Sequence, residues 1–81
     1  MLTPDTITEL NALNDYATRR HGPFVDIVHG WGALRSEYLE VEEAAQRRDI
    51  QRLRCELLDL ANVATRWAEA ITASATGAPA I

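Results

Sequence analysis

Four carboxylic acids at helical spacing are the residues best placed to do chemistry together. Glu37-Tyr38-Leu39-Glu40 and Glu56-Leu57-Leu58-Asp59 each set two acids three positions apart, and fifteen residues separate the two groups. Three residues of α-helix rise by roughly 4.5 Å and keep both side chains on one side. Between the groups, Arg47-Arg48-Asp49 is the best place for the backbone to reverse. A reversal centred near position 48 brings Glu40 level with Glu56 and Glu37 level with Asp59. Four carboxylates at matched heights on a helical hairpin form a cation site, because hard divalent cations take oxygen ligands.

The helices that must position these acids are written in the apolar pattern. At about 100° per residue, Ile27, Trp31, Leu34, Tyr38, Val41 and Ala45 make one stripe, and Leu53, Leu57, Leu60, Ala64, Trp67 and Ile71 make a matching one. Glu37 and Glu56 lie on the stripe edges, with Glu40 and Asp59 about 60° further round on the same hand. Antiparallel helices are related by an approximate two-fold axis, so equal offsets emerge on the same side and the four acids are expected to converge. Gly30, Ala33 and Ala44 flank them and leave room for an approaching group.

The remaining chain supplies a third helix and its boundaries. Thr3-Pro4-Asp5 is a helix start, with Thr3 as cap and Pro4 in the first helical position. Ile7, Leu10, Leu13 and Ala17 form its apolar stripe, and Arg19-Arg20-His21-Gly22-Pro23 ends it. Phe24 to Val28 reads either as a buried connection or as the first turn of the second helix. Gly30 and Gly32 inside that helix cost roughly 1 kcal/mol each, which points to close packing there. Glu42 and Glu43 face outward, with Glu43 able to pair with Arg47. Asp49 caps a helix that runs to about Ala73. The expected fold is all-α: helices near 4–20, 26–48 and 50–73, the last two an antiparallel hairpin, in one domain over 1–76 with a flexible tail over 77–81.

Bulk properties narrow the function classes. A net charge of −4 disfavours nucleic acid as a partner. No run of eighteen apolar residues and no leader pattern is present, so a cytoplasmic protein without membrane contact is expected. The single Cys55 excludes an internal disulfide and reads as a small, partly buried helix residue. His21 and His29 match no zinc spacing. Eighty-one residues give a thin core, so a homo-oligomer is expected, covering outer apolar positions such as Leu39 and Leu58; the alternative is that helix one alone covers the acidic edge of the hairpin and the chain is a monomer with an exposed acidic groove.

With these residues in view, the chain resembles the MazG-like all-α nucleoside triphosphate pyrophosphohydrolases over about residues 24–70. That family carries ExxE on one helix and ExxD on the next, as do Glu37-Tyr38-Leu39-Glu40 and Glu56-Leu57-Leu58-Asp59 here. The surrounding runs Trp31-Gly32-Ala33-Leu34-Arg35-Ser36-Glu37 and Leu53-Arg54-Cys55-Glu56-Leu57 through Ala61-Asn62-Val63-Ala64 are similar to short bacterial and phage members. The chain departs from many members at Ser36, where a second Glu precedes the motif, and it is shorter than many, so a partner chain is expected to complete the pocket.

The resemblance implies hydrolysis of a nucleoside triphosphate, deoxy or not, between the α- and β-phosphates, in a helical bundle built as a homodimer or homotetramer. It implies Mg²⁺, with Mn²⁺ as a substitute, held by Glu37, Glu40, Glu56 and Asp59, any of which can instead orient the attacking water. Arg52, Asn62 and Arg66 share one side of the third helix and offer contacts to phosphate or sugar; salt bridges to Glu56 or Glu69 are the alternative for the arginines. Trp31, one turn from the acids, either packs in the core or stacks on a base. The competing reading of the whole is a non-catalytic helical interaction module, or an inactive relative, whose acids pair with Arg52 or Arg66.

Overall fold

Capping chemistry sets each helix boundary in the computed structural model, which describes residues 1–24 and 26–75. α1 spans Pro4–His21; Thr3 is extended, and its hydroxyl accepts from the Thr6 N–H at 3.3 Å. Gly22, at φ +70°, closes α1 by donating its N–H to the Thr18 carbonyl at 3.0 Å. α2 spans Ile27–Gln46 and is capped by Asp26, whose carboxylate accepts from the His29 N–H at 2.6 Å. Phe24 is therefore a buried connection, and Ile27 and Val28 open the helix.

The reversal falls at Arg47-Arg48-Asp49, directly after α2, which stops two residues short of its expected end at 48. Arg48 sits in the left-handed region at φ +56°. Its N–H donates to the Ala45 carbonyl at 3.1 Å, and the Asp49 N–H to the Ala44 carbonyl at 3.1 Å. These paired closing bonds are the usual left-handed helix ending, with arginine in the position glycine prefers. Asp49 then caps α3, Ile50–Ala75, by accepting from the Arg52 N–H at 3.1 Å. α3 runs past the expected end at Ala73. The tail expected over 77–81 lies outside the described residues, among which there is no strand.

α2 lies along α3, and α1 packs on α3 without reaching α2. The core is thin: Ala17, Phe24, Ala44 and Val63 are its buried apolar side chains, joined by buried Asn62. α2 is turned away from its expected face. Gly30 and Ala44 are buried with half-buried Glu37 between them, whereas Ile27, Trp31, Tyr38 and Ala45 stay exposed. On α3, Leu57, Ala64 and Ile71 are likewise exposed. Small residues explain the rotation. A Cβ added to Gly30 would run into the Trp67 indole, so that ring lies directly against the α2 backbone. The approach is close enough to bury the Trp67 Nε1–H without a hydrogen-bond partner among the described residues. By helix phase, the apolar residues left over emerge on the side of the hairpin opposite α1. Leu58 is half-buried, contrary to its expected outward position, Leu39 is exposed as expected, and Cys55 is exposed rather than partly buried.

Two arginines of α3 fasten α1. Arg54 donates both terminal nitrogens to the two carboxylate oxygens of Glu9, each at 2.9 Å. Arg66 donates to the Gly22 carbonyl at 2.6 Å, and its guanidinium lies 4.7 Å from the Phe24 ring centroid.

The two helix-interior glycines of α2 should respond oppositely to alanine. Nothing lies within 4 Å of a Cβ at Gly32, so Gly32→Ala is expected to stabilise the fold by up to about 1 kcal/mol through helix propensity. Gly30→Ala is expected to destabilise it, because the overpacking cost of roughly 1–3 kcal/mol exceeds that gain. Urea denaturation of both variants checks this; equal shifts would contradict the Gly30–Trp67 seam.

Candidate metal centre and groove

The acids come from the two helices of the hairpin, and three of the four come together. One carboxylate oxygen each from Glu37, Glu56 and Asp59 lies within 4.8 Å of the other two, and all three residues are half-buried. Neighbouring ligands of an octahedral ion with Mg–O of about 2.1 Å sit about 3.0 Å apart. Small side-chain rotations would close this triad around such an ion, so the donor set fits a hard divalent cation. The same three acids without an ion are also a common surface arrangement.

Glu40 does not join them. Arg52 takes its carboxylate at 2.8 Å and reaches Glu43 at 3.4 Å, while Glu43 also meets Arg47 at 3.3 Å as expected. The expected four-acid convergence is thus a triad with a separate Arg52–Glu40–Glu43 cluster beside it. The reason is competition: Arg52, one helical turn before Glu56 on α3, places its guanidinium against Glu40. Arg52, expected to face phosphate or Glu56, is held on α2's acids.

Between α1 and α2, over α3, runs a groove of ≈ 530 Å³. Glu37, Asp59 and Asn62 line it, with Tyr16 and Ala17 from α1 and His29 from α2. Ser36, standing where many MazG-like chains have a second Glu, also lines it. Asn62 is buried where it lines the groove. Arg66 lines the groove too, but its head group is engaged by Gly22 and Phe24 rather than by Glu56 or Glu69. Trp31 is away from the groove: it is 56% exposed and lies 6.5 Å from the Trp67 ring at a 48° tilt. The residues that α1 contributes were not legible in advance. Tyr16 and His21 carry no motif, and the pairing of Phe24 with the His29 ring, edge-on at 4.9 Å, follows only from the fold.

Electrostatics inside the triad oppose its ionisation. Burial, then the charges of Asp59, Glu56 and Glu40, push the Glu37 carboxyl above the ordinary carboxylate range. Burial, then Asp59 and Glu40, raise Glu56, against which Arg52 pulls downward. Burial alone raises Asp59. Desolvation and like charge both disfavour the anion, and a bound cation reverses both.

Set against known protein families, curated proteins and solved structures, the chain shows no significant match. What fold and site define is an all-α, three-helix chain with a carboxylate triad, two of whose members, Glu37 and Asp59, line a groove.

A carboxyl raised in the folded state adds stability while protonated, and that contribution is lost as pH rises through its folded value. The metal-free protein is therefore expected to lose stability as pH climbs from the ordinary carboxylate range through the raised values of Glu37, Glu56 and Asp59. Glu9 acts oppositely: its hydrogen bond from Arg54 lowers it, so its contribution is present at neutral pH and lost on acidification. In chelator, Glu37→Gln should raise the melting temperature at pH 7 and flatten its decline with pH, whereas Glu9→Gln should lower it at pH 7. Thermal melts from pH 4.5 to 7.5 check both directions.

Proposed function

We propose that this chain is a Mg²⁺-dependent nucleoside triphosphate pyrophosphohydrolase, converting a (deoxy)nucleoside triphosphate to the monophosphate and pyrophosphate. The observation that carries the reading is the triad: three carboxylate oxygens within 4.8 Å of one another, with Glu37 and Asp59 lining a groove of ≈ 530 Å³. Glu37, Glu56 and Asp59 hold the ion, or Mn²⁺ in its place. The ion supplies charge neutralisation on the phosphates and a more acidic bound water. Glu40 stands beside the triad as the fourth acid of the ExxE/ExxD pattern. Arg52 engages it in the absence of ligand and can turn to an anionic phosphate instead.

The thin core and the uncovered strip of Ile27, Trp31, Tyr38, Leu57 and Ile71 favour a homodimer or homotetramer in which copies cover one another. The same strip favours the second reading, a non-catalytic helical interaction module whose acids are surface charge. Among the described residues no helix is long and apolar enough to cross a membrane.

Pyrophosphate release over a panel of nucleoside triphosphates is expected with Mg²⁺ and not with EDTA. Glu56→Gln should lower the rate by at least about 10²-fold, the scale of a lost charge-stabilising group, and should erase the Mg²⁺-dependent rise in melting temperature. If wild type releases no pyrophosphate and melts identically in Mg²⁺ and EDTA, the enzyme reading fails.

Assembly is tested separately. Light scattering at micromolar concentration is expected to give at least twice the 9.0 kDa chain mass. Trp31→Glu together with Ile71→Glu should return a single chain. A 9.0 kDa wild-type species with full activity would exclude a pocket shared between copies.

A further inference from the structure

Among the described residues, Asn62 is the buried polar one, 8% exposed in a core otherwise made of Ala17, Phe24, Ala44 and Val63. A buried amide is normally satisfied by hydrogen bonds, since leaving it bare costs about 1–3 kcal/mol. The Asn62 side chain makes no hydrogen bond among the described residues, nor is it sealed like the Trp67 indole N–H. What access remains to it is through the cavities it lines. It lines two: the groove with Glu37 and Asp59, and a second of ≈ 840 Å³ between α1 and the C-terminal half of α3. Phe24 and Arg66 border both, so the two cavities meet at Asn62. Asn62 also follows Asp59 by three residues on α3, which puts its amide on the α1 side of the triad, one turn along.

Neither helix propensity nor packing accounts for the residue. Asparagine is a mediocre helix former, and leucine of similar volume would fill the site without a stranded dipole. The amide does offer a donor pair and an acceptor side by side, the pattern that matches a nucleobase edge bidentately. We propose that Asn62 is a specificity-determining residue that reads the edge of a nucleobase lodged between α1 and α3, while the phosphates lie toward Glu37 and Asp59. The ligand class is a base presenting an adjacent donor and acceptor. The inference rests on the nucleotide reading above and adds the group that selects the base. A site built to hydrogen-bond a ligand loses discrimination steeply when the pairing group is removed, because the ligand's own polar atoms are then left unpaired.

The test uses Asn62→Leu in the full chain, with Mg²⁺ and the product monophosphates dAMP, dGMP, dCMP and TMP as probes. Without ligand, the variant is expected to melt higher by roughly 4 °C or more, as a stranded buried amide is replaced by an apolar isostere. The midpoint for Mg²⁺ alone should stay within about twofold, while affinity for the preferred monophosphate in the presence of Mg²⁺ drops at least about tenfold. In wild type, the Asn62 side-chain NH₂ resonances should shift on adding that monophosphate and not on adding Mg²⁺ alone. A variant that melts lower or fails to fold, together with unmoved wild-type amide resonances, would mark Asn62 as structural and overturn the proposal. Equal nucleotide affinity in wild type and variant would overturn it too, leaving the pyrophosphohydrolase reading intact. If no monophosphate binds and no triphosphate is cleaved, that broader reading falls and takes this one with it.

Discussion

Carboxylates in the seam of the hairpin are the constraint around which this chain is built. Glu37 lies between buried Gly30 and Ala44 on the face that α2 turns to α3, where an ordinary bundle would place a large apolar residue. Glu56 and Asp59 answer from α3 within 4.8 Å. Desolvation and mutual repulsion weaken the contact that should be strongest. Other interactions offset that cost. Gly30 lets the Trp67 indole lie against the backbone, and the capped turn at Arg47–Asp49 fixes the two helices at short range.

That seam also dictates where the apolar residues go. With the acids and small residues facing inward, the larger side chains of α2 are displaced by a fraction of a turn. Trp31 and Tyr38 are left 56% and 55% exposed. The hairpin thus has two unlike sides: a polar one that α1 partly walls, holding the groove, and an apolar one that α1 does not reach. One segregated arrangement sets the acidic triad and the exposed apolar strip on different sides of the hairpin.

Much of this was written in the sequence. Thr3-Pro4, Gly22-Pro23 and Asp49 mark their boundaries through local backbone chemistry, which needs no tertiary information. The ExxE and ExxD spacings placed Glu37, Glu56 and Asp59 together, because helical rise and antiparallel symmetry are fixed by geometry. Rotation about the α2 axis was not legible: apolar periodicity gives the direction of a stripe, while the neighbour actually chosen depends on which side chains are small. For the same reason Trp31 was placed near the acids and is found beyond them. Glu40 escaped because a long, flexible Arg52 can reach any of several acids, and only the fold decides among them. The groove wall from α1 was legible only as the alternative to a covering partner chain, and its residues were not, since its contact with α3 runs through the Arg54–Glu9 pair, forty-five residues apart in sequence.

The way α1 is attached has a further thermodynamic meaning. It touches α3 alone, held by a surface ion pair, one side-chain-to-backbone hydrogen bond and a small apolar contact. None of those bonds joins α2 to α3. Detachment of α1 is therefore a partial opening of lower free energy than unfolding of the whole chain, and its amides belong to a faster-exchanging cooperative unit than those of α2 and α3. Because α1 is one wall of the groove, that same opening enlarges the route to the carboxylates. The seam that holds the acids in place takes no part in that opening.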